Sequence, residues 1–413
     1  MVKTKTKVNP EIGMSGKRGE KVRSDCHIEI ELTKRNGVII ELNSKVNTLY
    51  GEVIKDLILQ VCSFFEIKNA KIKIEDSGAL PFTLAARFEA AYKQINFDDN
   101  REFLLPFNRK NYYKTQKDRL RRSRLYLPGK EPKFFPNAGL HKPDGIILDL
   151  EDSVAPSEKL AARYLVRNAL RSVDFYGAER MVRINQLPMG LEDLRFVVPH
   201  NVHVILIPKC ESADTVKQVE EEINIIRAEK NFSSEIYFMP IIESAAGVLK
   251  AYEIATASDN VCALTIGLED YTADIGVERT NDGKESFYAR SAIITAAKAA
   301  GVQAIDSVFS DVDDFEGLRK SVIEAKSLGF EGKGCIHPRQ IKVVHEAFAP
   351  TEKEIEKAKK IVVAFKEAEK KKLGVVSLGS KMVDAPVVKR AQKIIDLALM
   401  YNLLEKNWEE KLQ

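Results

Sequence analysis

Eight short apolar segments, each ending in polar or charged residues and separated by helix-length stretches, constrain this chain most. They occupy residues 123–128 (SRLYLP), 145–150 (GIILDL), 179–185 (ERMVRIN), 203–208 (HVILIP), 235–243 (EIYFMPIIE), 261–267 (VCALTIG), 303–308 (QAIDSV) and 332–337 (GKGCIH). Stretches such as SEKLAARYLVRNALRSV and DTVKQVEEEINIIRAEK lie between them. Eight β–α alternations in about 225 residues fit a parallel (β/α)8 TIM barrel better than an open sheet. In such a barrel the C-terminal strand ends line the active site. Here those ends carry Asp149, Glu151, Asp152, Arg183, Lys209, Glu243, Asp270, Asp306 and His337. So many ionisable groups on one rim predict an enzyme.

The barrel is assigned to residues 122–349, with a helical extension over 350–413. Residues 1–24 are Lys-rich and nearly free of large apolar side chains, which predicts a mobile basic tail. A small α+β domain spans 25–95. In it HIEIEL alternates strictly, Asn36-Gly37 supplies a hairpin turn and VIIEL alternates again. An amphipathic helix, the strand AKIKIED and a final helix complete a β-β-α-β-α unit. Residues 96–121 form a polar linker, and the basic run from Arg109 to Arg124 suits either an anionic ligand such as a nucleotide phosphate or a solvated connector. After Pro350 and Thr351 comes a charged helix, then GVVSLGSKMVDAP and a last apolar-rich helix. A tail of this length can pack across a neighbouring subunit.

Lys plus Arg number 64 against 60 Asp plus Glu, so no global charge argues for nucleic acid. The five cysteines are odd in number, scattered and free of C-x-x-C pairs, which predicts buried thiols in a reducing compartment. No apolar run approaches a membrane span, and the N-terminus lacks a signal-peptide core. A cytoplasmic protein without a membrane partner is expected.

Glu243 and Asp270 end neighbouring strands, which puts two carboxylates on one side of the mouth. Two oxygen ligands with open positions suit Mg²⁺ or Mn²⁺, and the six scattered histidines argue against zinc. Pairing of Glu243 with Lys209 or Arg183 in a buried network is the alternative. Arg183 can grip a carboxylate in bidentate fashion, or bridge to Glu151 or Asp152. Lys209 could form a Schiff base, but neighbouring carboxylates keep a lysine protonated, which disfavours that role. Gly267, Gly276, Gly332 and Gly334 form no phosphate-loop or dinucleotide fingerprint.

Nine segments then occur in a telling order: RSRLYLPGKEPKFF, DGIILDLEDSVAPSEKLAAR, VRINQLPMGLEDL, IPKCESADTV, PIIESAAGVLKAYEIA, IGLEDYTADIG, AAGVQAIDSVFSDVDD, LGFEGKGCIHPRQI and GSKMVDAPVVKRA. This series resembles the HpcH/HpaI aldolase/citrate lyase family, in particular the citrate lyase beta subunit and the malyl-, citramalyl- and β-methylmalyl-coenzyme A lyases. The Glu151-Asp152 pair after the second barrel strand fits that branch, whereas the pyruvate-type aldolases of the superfamily tend to carry Glu-His there. The resemblance implies Arg183 as the holder of the substrate carboxylate and Glu243 and Asp270 as Mg²⁺ ligands. It implies Tyr126, Lys133, Ile336 and His337 at the coenzyme A thioester, and Asp384 as an acid/base group delivered from a neighbouring subunit. DSGALPFTLAARFEAAY (76–92) resembles the end of the citrate lyase gamma subunit, an acyl carrier protein. In that family a serine two residues before an aspartate bears the prosthetic group. Counting back from Asp25 places Arg23 there and Ser24 one residue late, so a docking or assembly role is expected for the unit.

The resemblance therefore implies a Mg²⁺-dependent carbon–carbon lyase acting on a citryl-, malyl- or citramalyl-like 3-hydroxy-acyl thioester of coenzyme A. Cleavage yields an acyl-CoA and an α-keto acid, and the reverse is a Claisen-type addition. A homo-oligomer, trimeric or a multiple of three, is expected. A class II aldolase using free pyruvate or aldehyde, and a non-catalytic carrier-docking scaffold, are the alternatives.

Overall fold

The computed structural model describes residues 11–370, 376–378 and 381–409. Alternation in CHIEIEL and AKIKIED places Ile28, Ile30, Ile72 and Ile74 on a single buried sheet face. The sheet contains β1 (Ile12–Gly16), β2 (Cys26–Leu32), β3 (Val38–Ser44) and β4 (Ala70–Asp76), in the order β1-β2-β4-β3. Strand β2 is antiparallel to β1 and β4, while β3 runs parallel to β4.

Two expectations are corrected here. Asn36 and Gly37 do take the positive φ angles of a tight turn, +82° and +70°. Yet β2 and β3 form no hairpin, because β4 lies between them. The Gly37 N–H donates to Asn69 Oδ1 at 2.9 Å and its carbonyl accepts from Ala70 N at 3.1 Å, which ties the turn to the start of β4. Nor does a mobile tail run through residue 24, since residues 12–16 form edge strand β1. Its anchors are polar: Gln94 accepts from Met14 N and donates to Met14 O, and Lys17 pairs with Glu131.

The helix Pro81–Ile95 is buried on nearly every side. Leu84, Phe88, Ala91 and Tyr92 face the small sheet, while Phe82, Ala86 and Ala90 belong to the barrel's core. Deep in this seam Arg167 donates to Glu89 at 2.5 and 3.2 Å, both side chains being 0% exposed. Asn168 Nδ2 donates to the Phe82 carbonyl at 3.2 Å. The sequence suggests that residues 1–95 could be removed without loss of lyase activity; the seam shows that removal would uncover the core face that Phe82, Ala86 and Ala90 fill and would leave Arg167 with Glu102 at 3.3 Å in place of Glu89.

The barrel strands are β5 (Ser123–Pro128), β6 (Gly145–Asp149), β7 (Glu179–Arg183), β8 (Val204–Ile207), β9 (Tyr237–Ile242), β10 (Ala263–Ile266), β11 (Gln303–Asp306) and β12 (Gly332–Cys335). All pairings are parallel, and β12 closes on β5 through Cys335 opposite Leu125. Ile147, Met181, Val204, Leu206, Met239, Ile241 and Ile305 fill the interior, and alternate residues pack outward against the helices. The basic run before β5 is largely structural. Arg121 pairs with Glu179 at 2.7 Å, Arg122 with Asp144 at 2.8 Å, and Arg119 donates to the Gly177 carbonyl.

Beyond the barrel come helix Glu352–Lys370, the paired strands β13 (Val376–Leu378) and β14 (Lys381–Val383), and helix Ala385–Met400. Gly379 and Ser380 of the GSKMVDAP segment lie outside the described residues. The extension has its own apolar cluster around Ile361, Val362, Ile395 and Trp408. Arg122 sits 4.4 Å over the Tyr401 ring and Lys393 pairs with Glu331 at 3.3 Å. No helix among the described residues is long and apolar enough to cross a membrane.

Candidate active site

Apolar strand β9 runs directly into Glu243, so its carboxylate emerges where the barrel opens. A cavity of about 450 Å³ lies there, lined by Arg124, Tyr126, Asp149, Asp152, Arg183, Glu243, Thr265, Asp270 and Ile336 among others. Glu243 is 6% exposed and accepts a 2.7 Å hydrogen bond from Lys209 N. No cationic side chain pairs with it among the described residues. Burial, with the charge of Asp270 added, pushes its carboxyl up to about 8. Strand β10 gives way to Gly267 beside it for a steric reason. A Cβ there would stand 2.4 Å from Glu243 Oε2. Asp270, on the following helix Leu268–Asp274, is 41% exposed and lies 3.3 Å from Lys209 Nζ. Burial opposes ionisation of Lys209, but Asp270 outweighs it and holds the ammonium charged. A charged Lys209 is no Schiff-base nucleophile.

Arg183 is gripped by its own chain. Its Nε and one terminal nitrogen donate to the two Asp149 oxygens at 2.7 and 2.8 Å. The other terminal nitrogen lies 2.8 Å from Glu151 and 3.1 Å from Asp152. Burial works against this arginine's charge and the bonds to Asp149 more than restore it. Burial also lifts Glu151 to about 7.

Arg124 is the residue the sequence reading missed. The sequence groups it with the basic linker, although it stands two positions before Tyr126 and strand periodicity points both inward. It is 1% exposed at the cavity floor. Its terminal nitrogens reach Met239 Sδ at 2.9 Å, Thr265 Oγ1 at 3.0 Å and the Asp306 carbonyl at 3.5 Å. Its Nε has no hydrogen-bond partner among the described residues.

Tyr126, Arg183, Glu243, Asp270 and Ile336 thus share one cavity. Lys133, which pairs with Glu131 at 3.4 Å, is not among the lining residues, and neither is His337, whose Nδ1 accepts from Arg339 N. Asp306 leaves the rim altogether: its side chain turns outward from β11 to Lys333 at 2.7 Å and Arg290 at 3.2 Å. Asp384 caps the helix Ala385–Met400 and does not line this chain's cavity. Ser24, at φ +54°, donates its backbone N–H to the Ser77 carbonyl in the small domain.

Residues 122–338 match the family model described as HpcH/HpaI aldolase/citrate lyase. Citrate lyase subunit beta of Leuconostoc mesenteroides subsp. cremoris is 43% identical over 301 residues, which is 71% of this chain and 99% of that protein. The chain belongs to the HpcH/HpaI aldolase/citrate lyase family. Mitochondrial citramalyl-CoA lyase of Mus musculus is 32% identical over 290 residues, covering 67% of this chain and 86% of that protein. Among solved structures, the CitE protein of Mycobacterium tuberculosis in complex with magnesium, acetoacetate and coenzyme A aligns with a TM-score of 0.56 and 30% identity. The alignment covers 68% of this chain and 98% of that one. Residues 18–95 match a second model, the acyl-carrier (ACP) family described as malonate decarboxylase delta subunit (MdcD). This member of the family is a carbon–carbon lyase with a carrier-like domain fused before its barrel.

Proposed function

We propose that this lyase binds Mg²⁺, or Mn²⁺ in its place, through Glu243 and Asp270 and cleaves a 3-hydroxy-acyl thioester of coenzyme A. The observation that carries the reading is Glu243, a buried carboxylate beside Asp270 in an open cavity, with no cation partner among the described residues. Among the described residues no three or more His, Cys, Asp or Glu side chains are placed to hold a metal. Two carboxylates with the remaining positions left to water and substrate suit a hard divalent ion. Such an ion supplies Lewis-acid stabilisation of oxygen charge.

The chain's own residues do the rest. Arg183 orients the substrate carboxylate, sharing its guanidinium with Asp149. Tyr126 and Ile336 wall the cavity on the thioester side, and Lys133 and His337, outside the lining, would meet the coenzyme beyond it. An acid/base group, Asp384 of a neighbouring copy, takes the hydroxyl proton. The C–C bond breaks, the hydroxyl carbon becomes the carbonyl of an α-keto acid, and the electron pair passes to the acyl-thioester enolate. Protonation of that enolate releases the acyl-CoA. The names of the relatives, a citrate lyase subunit and a citramalyl-CoA lyase, support this chemistry. The reading extends to a homo-oligomer, trimeric or a multiple of three.

The test is to incubate the purified full chain with Mg²⁺ and citryl-, malyl- or citramalyl-CoA and detect products by mass spectrometry. An acyl-CoA and an α-keto acid in equal amounts, abolished by chelator, are expected. Turnover of free pyruvate with an aldehyde, and none of any thioester, would favour the aldolase alternative. No turnover of either kind would favour the scaffold.

A further inference from the structure

We infer that Arg124 forms an anion subsite at the floor of the mouth cavity and selects a substrate whose keto-acid half carries a second carboxylate. The inference rests on the lyase reading above and names the substrate class for that same site.

Two arginines face the cavity, and they differ in one respect. Arg183 has three carboxylates, Asp149, Glu151 and Asp152, within 3.1 Å. Arg124 has none. Its bonds go to a thioether, a hydroxyl and a backbone carbonyl, all neutral. Burial works against its charge, and the groups that act on it most, Tyr126, Cys335, Arg121 and Cys262, include no carboxylate. The nearby Asp306 carboxylate is committed to Lys333 and Arg290 on the outer side of the strand. A buried guanidinium left without a counter-charge is costly, and buried charges are ordinarily paired. This one lines a cavity, and its buried Nε has no hydrogen-bond partner among the described residues. An incoming anion would complete the pair.

Register explains how the subsite is built. Arg124 and Tyr126 project inward from β5, while Leu125 and Leu127 pack in the outer core. Met239 on β9 and Thr265 on β10 steady the guanidinium from the far wall. The floor is therefore a rigid three-strand construction beneath Glu243. The bulky coenzyme must leave through the mouth, so only the keto-acid half can point down. A malyl-type half offers the floor a hydrogen, and a citramalyl-type half offers a methyl group. Only a citryl-type half offers a carboxymethyl arm, whose planar carboxylate matches a guanidinium.

The test is calorimetric titration of oxaloacetate and of pyruvate, each with Mg²⁺, into the full-length protein and its Arg124→Gln variant. We expect the unmodified protein to favour oxaloacetate by roughly 100-fold, the order expected for a buried charge-assisted pair. Arg124→Gln should erase that preference chiefly by weakening oxaloacetate. It should also raise the melting temperature, since an uncompensated buried charge is removed. Arg124→Lys keeps the charge without the fork, and should retain part of the preference and remain informative if the glutamine variant fails to fold. A preference that survives Arg124→Gln, or an unmodified protein with no preference, overturns the inference and leaves the lyase reading standing. Binding of neither keto acid by the unmodified protein overturns both.

Discussion

The seam between the carrier-like domain and the barrel and the mouth of the barrel both bury charge, and they treat it in opposite ways. In the seam Glu89 meets Arg167 and Asp25 meets Arg87, each pair held by two hydrogen bonds. At the mouth, among the described residues, Glu243 has no cationic partner and Arg124 no anionic one. In these seam pairs the chain neutralises its own charges, although buried Arg180, bonded to the Asn201 carbonyl and His203, shows that not every structural charge is paired. At the mouth, the proposed Mg²⁺ and substrate anion would supply the missing partners. Arg183 stands between these cases, because its three acids fix its plane without removing it from the cavity.

The comparison breaks most visibly if the seam is not essential. Glu89→Ala takes from Arg167, which is 0% exposed, its buried partner and leaves it the partly exposed Glu102 at 3.3 Å; breaking a buried pair from one side costs about 3–5 kcal/mol. We expect a loss of that size in urea denaturation. A double variant, Glu89→Leu with Arg167→Met, should recover most of it, because no charge is then stranded. A single variant as stable as the parent would show that the seam charges are not coupled.

Glu243→Gln should act in the other direction. In the unfolded chain a glutamate carboxyl titrates near 4.5, whereas burial holds Glu243 at about 8 in the fold. Between those values the folded protein binds the extra proton, so this group's contribution to stability falls as pH rises. Below the lower value both states are protonated and the residue contributes no difference. With chelator present, Glu243→Gln should therefore melt with the parent at pH 4, and increasingly above it from pH 5 to pH 8. The same variant should lose Mg²⁺ binding in calorimetry. A variant less stable than the parent at pH 8 would place Glu243 with the seam residues rather than apart from them.

Much of this architecture was legible because its signals are local. All eight barrel strands lie within the segments picked out by apolar runs ending in charge, and Glu243, Asp270 and Arg183 follow from being at strand ends. What escaped depends on distant pairings. Glu89 and Arg167 are separated by 78 residues, so the bond that welds the domains has no sequence signature. The insertion of β4 between β2 and β3 overrode a correct turn at Asn36-Gly37 for the same reason. Asp306 looked like a rim residue but turns outward, because Ile305 takes the inward register position. Arg124 was hidden differently. Its inward direction was readable from β5, but the basic residues around it suggested a linker.

The smallest effect on stability separates a structural from a chemical role for Asp384. This side chain accepts from Val387 N at 3.2 Å and so caps the last helix. Losing an N-cap costs about 1 kcal/mol, whereas asparagine caps nearly as well. The extension is anchored to its own barrel by Tyr401 against Arg122 and by Lys393 against Glu331. Arg122 and Glu331 lie just before β5 and β12, at the strand ends opposite the mouth. From that anchorage we propose that Asp384 serves the mouth of another copy. Asp384→Asn should then keep the parent's melting temperature and lose turnover, while Asp384→Ala loses both. Subunit exchange between Asp384→Asn and Arg183→Ala proteins should restore part of the activity, since some mouths would receive an intact arginine and an intact aspartate. Full activity in Asp384→Asn would reduce the residue to its cap. An exchanged mixture as inactive as its parents, with exchange shown by mass spectrometry, would end the case for delivery between subunits.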